Sequence, residues 1–145
     1  MERLEFTIRI KATVEKVWSV LWDDKTYREW TGAFCEGSYA VSDWNEGDKI
    51  HFMAPNGEGM NSIIETKIPN EYMAFKHIGE IKNFEELPLN DETKKWSGYM
   101  EIYKLTPDGE FVILTSMVDV IEKHIDYFKD AFPKALERVK ELAEK

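Results

Sequence analysis

The chain has 145 residues, of which 43% are hydrophobic and 32% are charged. It is therefore long enough to bury a core and too apolar to be intrinsically disordered. Its 28 acidic residues against 19 basic ones give a net charge of −9, which argues against binding to nucleic acid or insertion into an anionic membrane.

The composition also bears on location. Cys35 is the single cysteine, which excludes an internal disulfide. Charged residues interrupt the first eleven positions, so we expect no signal peptide, and no apolar run reaches the roughly 20 residues of a membrane-spanning helix. We expect a cytoplasmic protein.

The first thirty residues change from a strand pattern to a helix pattern. Apolar side chains alternate with polar ones over Leu4–Ile10, which predicts a half-buried strand. Val14, Trp18 and Trp22 then follow at helical spacing. A second short helical turn is predicted over Lys25–Trp30.

Residues 38 to 119 are predicted to form consecutive strands. Their expected ranges are Tyr39–Trp44, Lys49–Met53, Met60–Ile68, Tyr72–Ile78, Ser97–Thr106 and Phe111–Asp119. Turn residues such as Asn45–Asp48 and Pro107–Gly109 separate them, so the sheet of about seven strands should be antiparallel. Glu80–Lys95 has no strand pattern and is predicted to be a long loop with room for one helical turn.

The carboxyl-terminal part of the chain returns to helical spacing. Its apolar stripe consists of Phe128, Phe132, Leu136, Val139 and Leu142. Phe128 and Phe132 are in phase with the later residues, so we expect one helix that begins before Pro133 and kinks there. Residues 1–145 are expected to form a single domain.

This order of elements resembles the helix-grip fold, an α+β architecture. The sequence is similar to the START-like (SRPBCC) superfamily, in its heat-shock-chaperone-ATPase-activator-like branch. The similar segments are FTIRIKATVEKVWSVLWD, the following Trp30, WNEGDKIHF, MNSIIETKIPNEYMAFKHIG, WSGYMEIYKLTP and FPKALERVKELAEK. The resemblance implies a curved antiparallel sheet, two short helices after the first strand, and a long C-terminal helix across the sheet. It also implies an apolar ligand in the space between that helix and the sheet.

The predicted ligand cavity uses much of the aromatic content of the chain. We interpret the helix pair after the first strand as a plug for one end of the sheet, with Trp18 and Trp22 in the core and Trp30 near the cavity mouth. The expected ligand-binding residues are Trp30, Phe52, Phe75, His77, Tyr103, Phe128 and Phe132.

Three polar residues are candidates for proton transfer. His77 follows Phe75 at strand spacing, so it either enters the cavity or is hydrogen-bonded at the sheet edge, which we favour. Glu101 and Tyr103 share one face of their strand, and Glu101 could act as a general acid or base if that face is inward. The pattern does not identify the inward face of Ser97–Thr106; we favour solvent exposure of Glu101, since unpaired buried carboxylates are rare. No spacing of His or Cys indicates a metal, and we expect no cofactor.

Three functions remain open. The favoured one is binding of a small apolar or amphipathic ligand by a monomer or weak dimer. The second is binding to a protein partner, such as a chaperone ATPase that the branch resemblance implies, through the acidic surface and the predicted loop. The third is an enzyme similar to polyketide cyclases and aromatases, using His77, Glu101 or Tyr103.

Overall fold

The polypeptide forms one antiparallel sheet with a long helix across it, as seen in a computed structural model that describes residues 1–145. The strands are β1 (Glu2–Ile10), β2 (Tyr39–Val41), β3 (Lys49–Met53), β4 (Gly59–Ile68), β5 (Tyr72–Lys82), β6 (Glu85–Glu86), β7 (Met100–Asp108) and β8 (Phe111–Val120). The helices are α1 (Val14–Trp22), α2 (Asp24–Thr31), α3 (Asp91–Lys94) and α4 (Ile125–Ala143), and a 3-10 turn at Glu122–His124 precedes α4.

The sheet confirms the predicted α+β helix-grip architecture. Its strand order is β1-β8-β7-β5-β4-β3-β2, with the two-residue β6 paired to β5 outside that path. Every pairing is antiparallel. Consecutive strands pair because short turns with Gly47, Gly57 and Gly109 at positive φ reverse the chain between them.

The two early helices place an aromatic cluster against the sheet. Thr13 caps α1 through a 3.1 Å hydrogen bond from the Lys16 N–H, and extended Asp23 separates α1 from α2. The ring of Trp22 lies 5.1 Å from Tyr103 and 5.3 Å from Phe75 between ring centroids, in edge-to-face contact. Trp22 is buried, as predicted, and Trp18 is partly buried beside it.

Helix α4 differs in its two halves. It begins at Ile125, before Pro133 as predicted, and runs without interruption past that proline. Two basic side chains of the second half attach it to the rest of the protein. Arg138 donates to the Glu29 carbonyl at 3.1 Å, and Lys140 donates to the Arg9 carbonyl at 3.0 Å. The first half carries Tyr127, Phe128 and Phe132 and covers the open side of the sheet.

The predicted loop over Glu80–Lys95 is more ordered than expected. Strand β5 continues to Lys82, and Asn83 and Phe84, both at positive φ (53° and 64°), turn the chain into β6. Glu86 on β6 then accepts hydrogen bonds from Lys49 at 3.0 Å and His51 at 2.8 Å. These contacts join residues far apart in the sequence, which explains why the prediction missed β6, whereas the one helical turn that it allowed for corresponds to α3.

Two predicted strands are shorter than expected. β2 ends at Val41, and Trp44, at φ 65°, lies in a left-handed conformation that cannot continue a strand. β7 begins at Met100 because Gly98, at φ 100°, ends the turn that precedes it.

Candidate functional site

An apolar cavity of about 420 Å³ lies between the first half of α4 and the sheet. We call it the apolar compartment. Its aromatic walls come from α2, the sheet and α4, and they comprise Tyr27, Trp30, Phe52, Tyr103, Phe128 and Phe132. Aromatic walls of this kind are typical of sites that bury small organic molecules.

A second cavity, of about 500 Å³, adjoins the first and is more polar. This polar compartment is lined by His77, Glu80, Glu92, Asp119, Lys123 and His124, among others. The two compartments share Gly59, Met60, Glu101, Tyr127 and Phe128. Glu101 is the one charged residue among those five, so it lies at the boundary between the two compartments.

Glu101 belongs to a chain of four hydrogen-bonded side chains on three neighbouring strands. Tyr103 donates its hydroxyl to Oε2 of Glu101 at 2.5 Å, and Nε2 of His77 lies 3.2 Å from Oε1. Nδ1 of His77 in turn lies 2.7 Å from the Ser62 hydroxyl. The register explains these contacts, because Ser62 pairs with His77 across β4 and β5, and Glu101 pairs with Phe75 across β7 and β5.

Burial separates Glu101 from the other members of this chain. Ser62, His77 and Tyr103 are 0%, 6% and 1% exposed, whereas the side chain of Glu101 is 23% exposed. Because the Glu101 carboxylate can only accept, His77 donates to it from Nε2, and the contact between Nδ1 and the Ser62 hydroxyl holds the other side of the ring. Ser62, His77 and Tyr103 therefore orient Glu101, which is the most exposed of these four side chains and borders both compartments.

Two phenols beside Glu101 are held in their neutral form. Burial raises the pKa of Tyr103 and of Tyr27 well above the ordinary value, and the nearby Glu101 carboxylate raises both further. Tyr103 therefore remains a hydrogen-bond donor at neutral pH.

Asp119 fixes the strand that carries Glu101. It accepts hydrogen bonds from Arg3 at 2.6 and 3.0 Å and from the Met100 N–H at 2.9 Å. Burial alone would raise the pKa of Asp119, but these bonds outweigh burial and hold it below its ordinary value. Sequence reasoning missed this residue, although an aspartate within the apolar run Met117–Ile121 was a usable signal.

Most sequence-predicted ligand residues line a cavity. Trp30, Phe52, Tyr103, Phe128 and Phe132 border the apolar compartment, and His77 borders the polar one. His77 is on the central strand β5, so the favoured placement at a sheet edge is wrong.

Three other placements differ from expectation. Phe75 lines neither cavity, because Trp22 and Phe52 pack against its ring and leave it 0% exposed. Trp30 is 1% exposed and donates its indole N–H to the Leu21 carbonyl at 3.1 Å, so it is part of the wall and not of the mouth. Glu101 faces the cavities and not bulk solvent, since Tyr103 and His77 supply the hydrogen bonds that an inward carboxylate needs.

Two further features, a metal site and a membrane-spanning helix, can be compared with the structure. No group of three or more His, Cys, Asp or Glu side chains is arranged to hold a metal ion. None of the helices has both the length and the apolar character needed to cross a bilayer.

The fold and the cavity under its last helix define a protein of the helix-grip class. Solved structures match almost the whole chain, among them the Aha1 dimer from Colwellia psychrerythraea, with 19% identity, a TM-score of 0.76, and coverage of 99% of this chain and 97% of that chain. Protein MLL2253 from Mesorhizobium loti matches with 15% identity and a TM-score of 0.75, covering 97% of this chain and 96% of that chain. CalU16 from Micromonospora echinospora matches with 14% identity and a TM-score of 0.68, covering 97% of this chain and 75% of that chain.

These similarities establish the fold alone, because all three identities are low. Neither a family model nor a curated protein sequence matches the chain.

Proposed function

We propose that this protein binds a small apolar or amphipathic ligand in the apolar compartment, as a cytoplasmic single-domain member of the START-like superfamily. The observation that carries the proposal is the cavity of about 420 Å³ with its aromatic walls. That volume falls within the range of roughly 300–1,000 Å³ found for small-molecule sites. The likeness in fold to the Aha1 dimer supports the heat-shock-chaperone-ATPase-activator-like branch.

Filling the cavity tests this function. Met60 lies on β4 and lines both compartments, so Met60→Trp should occupy the space where they meet. The neutral fluorescent probe N-phenylnaphthylamine should bind the wild-type protein, and the substitution should weaken that binding at least about tenfold. Native mass spectrometry of freshly purified protein should also show a co-purified small molecule.

The matched control is Ile63→Trp, the same new side chain on the opposite face of the same strand. It should leave probe binding within about threefold of wild type. Absence of probe binding to the wild-type protein, or equal binding to Met60→Trp, would exclude the proposed function.

A second candidate function is proton transfer on the bound ligand. The observation that favours it is the hydrogen-bonded chain of His77, Glu101 and Tyr103 at the cavity wall. In this role Glu101 accepts a proton from the ligand as general base, while the other two residues orient its carboxylate.

Deuterium exchange separates catalysis from simple binding. A co-purified ligand incubated with the protein in D₂O should gain deuterium at a carbon position, as measured by its mass. Glu101→Gln should abolish this gain but retain binding of the neutral probe. If the ligand takes up no deuterium in the wild-type protein, it is bound and not transformed.

The protein-partner candidate, binding to a chaperone ATPase, has support in the β5–β6 turn. Phe84 is 65% exposed and adopts a left-handed conformation, which is unfavourable for a bulky residue and is typical of functional positions. Purified protein should then stimulate ATP hydrolysis by a heat-shock chaperone, and Phe84→Ala should reduce the effect. Equal stimulation by Phe84→Ala would exclude this turn as the contact. The oligomeric state proposed is monomer or weak dimer; the Colwellia protein is a dimer.

A further inference from the structure

We infer that the ligand carries an ammonium group, bound at Glu101 where the apolar and polar compartments meet, with its apolar body in the apolar compartment. This inference rests on the proposed binding function and specifies the class of ligand as an amphipathic amine. It is carried by the charge partners of Glu101, by its free acceptor positions and by the aromatic rings around it.

Glu101 differs from the other carboxylates of the polar compartment in having no lysine or arginine partner. Glu80 lies 3.7 Å from Lys82, Glu92 lies 3.5 Å from Lys123, and Asp119 lies 2.6 Å from Arg3. Glu101 has no lysine or arginine within 4.0 Å, and the basic side chain that it contacts is the imidazole of His77, at 3.2 Å. A partly buried carboxylate without a lysine or arginine partner attracts a cation more strongly than one already paired with such a side chain.

The unused hydrogen-bonding capacity of Glu101 selects a donor. Each carboxylate oxygen has two lone-pair positions, and the protein occupies one on each, with Tyr103 on Oε2 and His77 on Oε1. The remaining positions can only accept. A ligand group that reaches them must therefore donate, as an ammonium does through its N–H bonds.

Aromatic rings complete the surroundings of this carboxylate. Phe128 and Tyr127 from α4 border both compartments beside Glu101, and Tyr103 and Trp30 form the adjoining wall. The faces of such rings attract cations, and aromatic rings with a carboxylate are a common arrangement for ammonium groups. The net charge of −9 favours the approach of a cation and disfavours an anion.

Three probes with the same aromatic body test the head group. Naphthylethylamine, naphthylethanol and naphthylacetate differ in being cationic, neutral and anionic at pH 7. We expect the amine to bind the wild-type protein at least about tenfold more tightly than the alcohol, because only the amine carries a positive charge that the Glu101 carboxylate attracts. The acetate should bind more weakly than the alcohol. Quenching of tryptophan fluorescence gives each Kd.

A substitution that removes the charge but keeps the shape locates the effect. Glu101→Gln should reduce the amine-to-alcohol preference to about one while the Kd of the alcohol stays within about threefold. Glu65→Gln, which makes the same change at an exposed position on β4, should keep the wild-type preference. If Glu101→Gln fails to fold, the wild-type probe series can still overturn the inference, through equal binding of the amine and the alcohol.

The outcomes distinguish this inference from the function on which it rests. Equal binding of amine and alcohol to the wild-type protein would overturn the ammonium inference and leave ligand binding intact. Failure of all three probes to bind would overturn both. An amine preference that survives Glu101→Gln would also overturn the inference, since the cation would then be recognised elsewhere.

Discussion

Tyr103 donates a 2.5 Å hydrogen bond to Glu101, which lies two residues earlier on the same strand. Both side chains point to the concave face, because alternate residues of a strand share a face. Since Tyr103 is 1% exposed, water does not compete for this bond. The pair therefore anchors a cavity carboxylate to the hydrophobic core.

Removing the phenol hydroxyl should weaken the fold measurably. We expect Tyr103→Phe to lower the free energy of unfolding by about 1.5–3 kcal/mol, the range for a hydrogen bond to a charged group. Urea unfolding at pH 7 measures this change. The control is Tyr99→Phe, whose partly buried ring also lies near Glu101 and which should change stability by less than about 0.5 kcal/mol. Equal losses in both variants would contradict the structural role of this bond.

Two of the six tyrosines should ionise only at high pH. Burial raises the pKa of Tyr127 above its ordinary value, and it raises the pKa values of Tyr27 and Tyr103 so far that we expect these two to stay protonated until the chain unfolds. Because the folded state holds these protons more tightly, stability is unaffected below about pH 10 and falls as the pH rises above it. The ultraviolet absorbance of tyrosinate during alkaline titration counts the phenols that ionise only on unfolding. In Tyr103→Phe this number should be one lower, and ionisation of every phenol before unfolding would refute the assignment.

The loss of folding stability at acid pH should depend on Asp119. Its pKa is depressed in the folded state, so its contribution is present above the unfolded value of about 3.9 and is lost as the pH falls through the folded value. Asp119→Asn should cost roughly 2 kcal/mol at pH 7. The gap to the wild-type protein should narrow as the pH falls through the folded-state pKa of Asp119, and urea unfolding across pH 2–7 measures it.

Asp108→Asn is the matched control for that prediction. Asp108 forms an exposed pair with Arg9 at 3.2 Å, in which the side chains are 49% and 58% exposed, and such pairs contribute little. We expect a loss below about 0.5 kcal/mol at every pH. A larger effect for Asp108 than for Asp119 would show that burial of the ion pair is not the deciding factor.

Two buried tryptophans should respond differently to the same substitution. The indole N–H of Trp22 has no hydrogen-bond partner, whereas that of Trp30 donates to the Leu21 carbonyl. Replacing Trp30 by Phe leaves the Leu21 carbonyl without a donor, whereas replacing Trp22 by Phe removes no hydrogen bond. Trp30→Phe should therefore destabilise the protein by about 1 kcal/mol more than Trp22→Phe. Thermal unfolding of both variants measures the difference, and the reverse order would contradict the assigned hydrogen bonding.

Local patterns predicted the main architecture because each signal lay within a few residues. The alternation over Leu4–Ile10 and the helical stripe from Phe128 onward correspond to β1 and α4. The fold resemblance added the arrangement of these elements, and the sheet and its crossing helix agree with it.

The site was harder to predict because its decisive contacts join distant residues. Strand β7 has apolar side chains on both faces, so its pattern did not identify the side on which Glu101 lies. That side became clear only from the contact with His77, 24 positions away, and from the cavity that Glu101 lines together with the first half of α4. Ser62 was missed for the same reason, since a lone serine on a strand carries no signal until its partner is known.

Pro133 has a consequence for how a guest reaches its site. Proline has no N–H, so the Lys129 carbonyl lacks its usual intrahelical donor. This position is the junction between the first and second halves of α4. We therefore expect α4 to bend at this position, so that its first half moves away from the sheet while the hydrogen bonds of Arg138 and Lys140 hold the second half in place. A guest could then come and go without any strand of the sheet having to part from its neighbours.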